Sequence, residues 1–149
     1  MPYSGSHYSQ VFLAHRKALE TLLDKLPDDQ GEFSSWDGAM SFKTMTDHLT
    51  GASLRFAGIA SGKATEAFEP SQNFAEAKAR LKASTETVVS SLSAMTDEQL
   101  SSMVEALGTQ MPAFTLVDLL REHEIHHKGQ LWMMARMIGI EPGRFIFRG

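Results

Sequence analysis

Residues 119–137, LLREHEIHHKGQLWMMARM, decide the fold that we predict for this chain, because their apolar side chains recur with the period of an α-helix. Extended over about residues 116–138, the pattern places one stripe of side chains on one helix face. The members of this stripe are Leu116, Leu119, Leu120, His123, His127, Gln130, Leu131, Met134 and Met137. Thr115 with Asp118 is typical of a helix start, and Gly139 followed by Pro142 is typical of a helix end. We therefore predict a long last helix whose core-facing stripe includes two histidines.

Three further stretches have the same period, at about residues 8–26, 44–60 and 74–95. Asn73 and Glu76 match the pattern of a capping box at the start of the third stretch. Residues 96–107 leave room for one more short helix beginning at Thr96 and Asp97, and residues 39–43 and 144–148 are short strand candidates. Four long helices around one core predict an all-α four-helix bundle, in a single domain over residues 1–149, with no sheet beyond a short ribbon.

The composition is that of an ordinary globular protein, with 42% hydrophobic and 21% charged residues among 149. A net charge of −4 without a basic block argues against a nucleic-acid partner. No apolar run is long enough to span a membrane, and the N-terminus lacks the order of a signal peptide. The absence of cysteine fits a cytoplasmic protein and leaves histidines and carboxylates as the available metal ligands.

Three histidines on apolar stripes predict a metal site. His123 and His127 are one helical turn apart, and His48 lies on the apolar stripe of the second helix. A buried imidazole without a hydrogen-bond partner costs about 1–3 kcal/mol, so three inward-facing ones are best explained by a shared divalent ion. We expect Zn²⁺ or Ni²⁺, with Mn²⁺ or Fe²⁺ as alternatives, because imidazole ligands alone do not select one ion. Three protein ligands leave a coordination position open, as in catalytic sites.

The remaining histidines are expected to have other roles. His126 points about 100° away from His127 around the helix and is expected at the surface or pocket rim. His15 lies on the stripe of the first helix, either near the metal or, more commonly for such a residue, as a core histidine with its own partner. His7 precedes the first predicted helix, where exposure to solvent is the default.

Two residues after the histidine pair have alternative interpretations. Gln130 is expected to hold a ligand histidine or a metal-bound water, or else to make a helix–helix hydrogen bond. Gly129 lies inside a helix, where glycine costs about 1 kcal/mol relative to alanine, so we expect another backbone to approach it closely.

Residues 123–127 also match H-E-x-x-H, the signature of zinc proteases. In those enzymes the glutamate is the general base, and a third ligand lies downstream. Only 22 residues follow His127, and Glu141 is the one acidic candidate just after the helix. We therefore interpret the match as coincidental, place the third ligand upstream at His48, and expect Glu124 on a solvated helix face.

Two segments, MTDHLTGASLRF around His48 and HEIHHKGQLWMMARMIG from His123, resemble the DinB/YfiT-like superfamily. The resemblance extends from the first helix to about Pro142, and H-x-x-x-H-x-G-Q is its most specific part. It implies an up-down-down-up four-helix bundle, a divalent metal near one end of it, and frequent homodimers. The superfamily's three metal-binding histidines correspond to His48, His123 and His127, and the long link between the second and third helices agrees with that helix order.

The resemblance also implies chemistry, because the superfamily includes S-transferases that use bacillithiol and isomerases that use mycothiol. Three functions therefore stay open: a metal-dependent transferase acting with a small thiol on small electrophiles, a metal-dependent hydrolase, and a non-catalytic, stress-associated protein that binds metal or small molecules. A small-molecule substrate and a homodimer are the expected partners. The sequence does not identify catalytic residues.

Overall fold

The computed structural model describes residues 2–148 and is mostly helical, at 63% helix, with one small two-stranded sheet. This confirms the prediction of a fold that is well above half helix. The long helices are α1 (Gly5–Lys25), α2 (Phe42–Ala60), α3 (Phe74–Ser93) and α5 (Ala113–Met137). The shorter elements are a turn of 3-10 helix (Asp28–Gln30), helix α4 (Asp97–Ser101), and strands β1 (Met103–Ala106) and β2 (Thr109–Pro112).

Helix α1 begins three residues earlier than the apolar pattern predicted. The Ser4 hydroxyl accepts a hydrogen bond from the backbone N–H of His7 at 3.1 Å, which makes Ser4 the N-cap. His7 therefore belongs to the helix, and its ring stacks on Tyr3 with centroids 4.1 Å apart. The expectation that His7 precedes the helix as a solvent-facing residue was wrong.

Of the helix caps predicted for α3 and α4, the N-cap residues are confirmed and one capping box is wrong. Asn73 caps α3 by accepting from the N–H of Glu76 at 2.8 Å, but the Glu76 carboxylate accepts from the N–H of Gln72 and not from that of Asn73. Thr96 starts α4 as predicted, in a full capping box with Gln99. Both caps illustrate how short side chains satisfy the free N–H groups of a first helical turn.

Helix α5 starts at Ala113, directly after Pro112, so the start predicted at Thr115 and Asp118 was wrong. Its end is as predicted. Gly139 has a φ of +81°, and its N–H donates to Arg136 O at 3.0 Å, while the N–H of Ile140 donates to Ala135 O at 2.9 Å. This pair of bonds is a Schellman motif, in which glycine takes the left-handed position without steric strain.

The strands lie where we did not predict them. Strands β1 and β2 pair antiparallel, with Ala106 opposite Thr109. Residues 39–43 contribute only an isolated bridge between Ser34 and Ser41. Residues 144–148 form no strand within the described chain; this tail is held to α1 by a hydrogen bond from the N–H of Phe147 to Ala14 O at 2.9 Å. Both strand candidates were therefore wrong.

Side-chain contacts show how α2 and α3 are oriented. The rings of Phe42 and Phe74, which begin the two helices, stack with centroids 6.0 Å apart. At the other end, Lys63 donates to the Ser91 hydroxyl at 3.1 Å. The two helices therefore run in the same direction, and the segment between them crosses from one end of the fold to the other.

Helix α1 runs opposite to α3. A Cβ on Gly5, the first residue of α1, would lie 2.5 Å from Leu92 O at the end of α3, so only glycine fits there. At the opposite end, Lys78 near the start of α3 donates to Leu26 O at 2.8 Å. Contacts between α1 and α5 run in register from Arg16–Glu124 to Lys25–Glu141, so these two helices are parallel.

The core consists of two apolar clusters separated by a polar layer. One cluster contains Ala18, Leu19, Leu22, Leu23, Leu26, Phe42, Met45, Leu49, Phe74, Ala77, Leu81, Leu131, Trp132, Met134 and Ala135. The other contains Tyr8, Phe12, Ala57, Ala60, Val88, Leu92, Met95, Leu100, Ala106, Met111, Ala113, Leu116, Val117 and Leu120. On α1, α3 and α5, the residues between the clusters include the buried side chains of Arg16, Ser84, Thr85 and Glu124.

The polar layer is fully hydrogen-bonded. Arg16 donates from Nε and Nη2 to the Glu124 carboxylate at 2.6 and 2.9 Å, and from Nη1 to the Ser84 and Thr85 hydroxyls. Among residues 2–148, no buried side-chain nitrogen or oxygen lacks a partner. None of the helices in the same range combines the length and the hydrophobicity of a membrane-spanning segment.

Candidate metal centre

The structure brings His48, His123 and His127 together, as the sequence predicted. One ring nitrogen of each lies within 4.8 Å of the other two, and the Nε2 atoms of His48 and His123 are 2.9 Å apart. Two nitrogens that bind one ion at about 2.0–2.1 Å are themselves roughly 3 Å apart, so the spacing fits a shared metal. The donor set of three imidazoles suits Zn²⁺, Ni²⁺, Cu²⁺ or Fe²⁺ better than Mg²⁺ or Ca²⁺.

Two antiparallel helices place these side chains. His123 and His127 are one turn apart on α5, and His48 faces them from α2. On α5 the pair lies between Leu120 of one apolar cluster and Leu131 of the other. The α5 pair is therefore at the level of the polar layer, whereas the resemblance implied a site near one end of the bundle.

Burial differs among the three histidines. His127 is buried, His123 is half-buried and His48 is exposed. Our expectation that all three face the core was wrong for His48. Its apolar neighbours on α2, among them Phe56 and Ile59, line an open cavity beside the histidines, and an apolar cavity wall has the same sequence pattern as a core face.

Gln130 orients one of the histidines. Nδ1 of His127 donates to Oε1 of Gln130 at 2.7 Å, which leaves Nε2 of His127 with a free lone pair. A hydrogen bond of this kind fixes both the tautomer and the ring plane of a metal ligand. Of the alternatives considered from the sequence, this geometry is that of a residue holding a ligand histidine. The Gln130 side chain is exposed, so its predicted place on the buried stripe was wrong.

All three histidines are held in the neutral form that a metal requires. Burial, together with the neighbouring His127 and His48, lowers the pKa of His123 to about 4. Burial, followed by His127, lowers the pKa of His48. Burial also lowers the pKa of His127, although its hydrogen bond to Gln130 opposes this. At neutral pH the three lone pairs are therefore available without the release of protons.

His15 lies elsewhere in the polar layer and is not one of the three clustered histidines. Its Nδ1 is 2.9 Å from Nζ of Lys128, and burial together with this lysine lowers the pKa of His15 to about 4. A neutral His15 thus accepts a hydrogen bond from the Lys128 ammonium, which also donates to Phe145 O of the C-terminal tail. This is the arrangement of a core histidine with its own partner.

Gly129 and His126 are both exposed on α5. A Cβ on Gly129 would meet no described atom within 4 Å, so the expected close approach of another backbone was wrong. His126 lines the cavity beside the three clustered histidines and lies at its rim, with its ring centroid 4.7 Å from that of His127.

Glu124 is not on a solvated face, contrary to our expectation. The side chain is 1% exposed, and both carboxylate oxygens accept hydrogen bonds from Arg16. A carboxylate buried in this way, on the α1 side of α5, is not free to act as a general base at the histidines. The H-E-x-x-H match therefore does not describe a protease site in this fold.

Asp47 is a residue that the sequence analysis missed. It is buried beside His48, and its carboxylate accepts from the N–H of Ser71 at 2.8 Å and from the Ser71 hydroxyl at 2.6 Å. Arg80 of α3 donates to the same hydroxyl at 3.0 Å and to Glu69 O at 2.7 Å. These bonds fix the end of the α2–α3 crossover against the helix that carries His48. An acidic residue next to a ligand histidine was the available signal.

The fold and the site together define a helical protein with a three-histidine candidate metal centre. Comparison with known proteins agrees: the DinB family model matches residues 1–148, and the chain belongs to the DinB family.

Two similar proteins support this assignment. The uncharacterized protein YjoA of Bacillus subtilis (strain 168) is 29% identical over 133 residues, which cover 86% of each chain. The crystal structure of YjoA, a DinB-like protein, superposes with a TM-score of 0.81 at 26% identity, covering 96% of this chain and 99% of that one. A DinB-like protein from Bacillus cereus ATCC 10987 shares the fold, with a TM-score of 0.76 at 20% identity over 92% of this chain and 94% of that one.

Proposed function

We propose that this chain binds one divalent metal ion through His48, His123 and His127 and acts as a metal-dependent transferase, joining a small thiol to small electrophilic molecules. The observation that carries the proposal is the convergence of three imidazole nitrogens with lowered pKa values, two of them on histidines that line a cavity. Zn²⁺ or Ni²⁺ is the proposed ion, with Mn²⁺ or Fe²⁺ as alternatives.

The proposal of a thiol as co-substrate follows from the charge of the metal ion. Three neutral ligands leave the double charge of an ion uncompensated, which favours an anion in the remaining position. The chain has no cysteine, so a thiolate would have to come from a small molecule such as bacillithiol. When bound, the ion would lower the pKa of such a thiol, or of a water molecule in the hydrolase alternative.

The protein's own residues would position the reactants. The Gln130 hydrogen bond keeps Nε2 of His127 directed away from the amide and free to bind. Phe56, with its ring centroid 6.0 Å from that of His123, contributes an apolar wall beside the ligands. In the net reaction the thiol loses its proton to solvent, a carbon–sulfur bond forms, and the leaving group departs with the electron pair of the bond that breaks.

We also propose that the four long helices form the up-down-down-up bundle that the resemblance implies. The parallel α2–α3 and α1–α5 pairs and the antiparallel α1–α3 pair support this order. In such a bundle the long α2–α3 crossover lies next to the metal-binding helices, and it contributes part of the cavity wall.

Metal binding is tested by elemental analysis and titration of purified protein. We expect close to one equivalent per chain, and we expect His48→Ala, His123→Ala and His127→Ala each to weaken binding by at least about tenfold. His126→Ala is the matched control on the same helix and should change little. Unchanged affinity in His48→Ala would show that the three-histidine site is wrong.

Cobalt substitution tests the chemistry. Adding bacillithiol, or glutathione as a surrogate, to the Co²⁺ protein should produce a sulfur-to-cobalt charge-transfer band, which His123→Ala should lack. If no thiol perturbs the spectrum while an ester or amide substrate is turned over, the hydrolase replaces the transferase. If neither occurs, the non-catalytic binding protein is the favoured alternative.

A further inference from the structure

His48 and His123 line a cavity of about 1150 Å³ between α2, α5, the crossover and the tip of the β-hairpin. Small-molecule sites typically measure about 300–1000 Å³, whereas a single water molecule needs about 30 Å³. The space therefore suits an organic ligand, and not only an ion and its water molecules.

The cavity has an apolar wall that is rigidly supported. Phe56 and Ile59 of α2 line it beside the histidines, and Phe68 lines it from the crossover. The Phe68 ring lies 3.9 Å from the Arg80 guanidinium carbon and packs on Gly51, whose added Cβ would be only 3.1 Å from Phe68 Cβ. Such a wall contacts the apolar part of a ligand without having to reorganise.

Leu107 also lines the cavity, although its backbone conformation is unfavourable for leucine. It has a φ of +54° and Gly108 a φ of +76°, so the two form the centre of the β1–β2 turn in the geometry that favours Asn, Asp or Gly. A leucine is strained there. Its side chain is 62% exposed and lines the cavity, so burial within the chain does not offset the strain. Contact with a ligand would explain a leucine at this position.

Arg55 contributes a positive charge to the cavity wall and forms no ion pair with the residues from 2 to 148. It lies seven residues after His48, which is two turns or about 10 Å along the same face of α2. It lines the cavity and makes no hydrogen bond or ion pair with any residue from 2 to 148. Lys43, the other cation of the wall, is 3.4 Å from Asp47 and is thereby paired. The fork of an arginine matches a carboxylate bidentately.

We propose that the cavity selects a small organic anion with an apolar body. Its carboxylate is bound by Arg55, its body lies against Leu107 and Phe56, and its far end reaches the histidines. This substrate class rests on the proposed function, because it is assigned to the same site. Glu66 and Glu122 also line the cavity, which makes a cationic ligand the competing outcome.

The test uses three probes of equal length, 4-phenylbutyrate, 4-phenylbutanol and 4-phenylbutylamine, titrated calorimetrically into metal-loaded protein. We expect the acid to bind about tenfold more tightly than the alcohol, and the amine to bind most weakly. Arg55→Gln should remove the advantage of the acid and leave the alcohol unchanged, and Arg55→Lys should restore part of it. A preference for the amine or the alcohol overturns the proposal.

Leu107→Asn separates a ligand contact from a structural role. Asparagine suits the turn better, so the melting temperature should rise while the affinity for both acid and alcohol falls several-fold. Met103→Ala, at an exposed position of the same hairpin, is the control and should leave affinity unchanged. A higher melting temperature with unchanged affinity would overturn the role given to Leu107.

Metal content measured on the same samples distinguishes this inference from the proposed function. If the protein loads one ion per chain but shows no Arg55-dependent preference for the acid, the substrate class is wrong and the metal function stands. If no ion binds but the Arg55-dependent preference for the acid persists, the metal function is wrong and the substrate class stands. If the acid's advantage disappears in His123→Ala and survives in Arg55→Gln, the carboxylate binds at the metal and the role of Arg55 is refuted.

Discussion

At the scale of single residues, Arg16 and Glu124 form a buried ion pair. Both side chains are at most 1% exposed, and the pair is bidentate, with two hydroxyls completing the guanidinium contacts. Removing one partner from such a pair leaves the other charge buried, which is far more costly than removing both.

We therefore expect Glu124→Ala to lower the free energy of unfolding by about 3–5 kcal/mol, measured by denaturant unfolding. The double variant Arg16→Met with Glu124→Leu should recover most of this loss. Glu122→Ala, at an exposed position two residues away, is the control and should change stability by less than about 0.5 kcal/mol. A mild effect of Glu124→Ala would contradict the buried ion pair.

The histidines predict how stability depends on pH. The pKa values of His15 and His123 fall from 6.5 to about 4 on folding, so between these values the folded chain binds fewer protons than the unfolded chain. The contribution of these two histidines to the free energy of unfolding should thus be fully present above about pH 6.5 and should decrease as the pH falls towards 4.

Chemical denaturation of metal-free protein at several pH values measures this dependence. In His15→Asn the slope between pH 6.5 and 4 should be shallower, because one group no longer titrates there. A stability that is constant across this window would contradict the lowered pKa values.

At the scale of elements, the outward face of α5 is unusual. Ile125, Met133 and Met137 are 39%, 61% and 50% exposed, and Gly129 lies between them at the same four-residue spacing. The predicted place of Met137 on the core-facing stripe was therefore wrong. Glycine here has helical geometry and free space around it, so the glycine weakens the helix without a packing reason in the described chain.

Gly129→Ala should therefore raise the free energy of unfolding by up to about 1 kcal/mol, measured by thermal or denaturant unfolding. Gly139→Ala is the matched comparison at the end of the same helix. Its φ of +81° makes any side chain unfavourable, so that variant should be destabilised. A loss of stability in Gly129→Ala would show that another chain approaches the glycine closely.

At the scale of the whole molecule, we propose that two chains associate through this face of α5. The resemblance implied homodimers, and an exposed apolar stripe on a long helix is a suitable contact for a second copy. The C-terminal tail is not part of this face, because it packs on its own α1 through Phe147.

Sedimentation at micromolar concentration should show a species of twice the 16.5 kDa chain mass. Met133→Glu with Met137→Glu should shift it to the monomer, whereas Met103→Glu, which is equally exposed on the hairpin, should not. A wild-type protein that sediments only as a monomer would contradict the proposal.

The sequence by itself determined the features that depend on residues close together in the chain, namely the long helices and their caps. Apolar side chains that recur every three or four residues predicted the four long helices, because one face of each had to be buried. The same spacing singled out His48, His123 and His127, and the Asn73 and Gly139 caps followed from short side chains and backbone freedom at helix ends.

Only the tertiary structure decided which parts of the chain pack against each helix face. An apolar stripe does not distinguish a core from an open cavity wall, so His48 was expected inside and lies at the surface. The sequence does not show whether a charged residue has an ion-pair partner far away in the chain. Glu124 was therefore expected in solvent, but it is buried against Arg16, 108 positions away. Burial, hydrogen-bond partners and pKa values depend on contacts between segments far apart in sequence, and these exist only once the helices have packed.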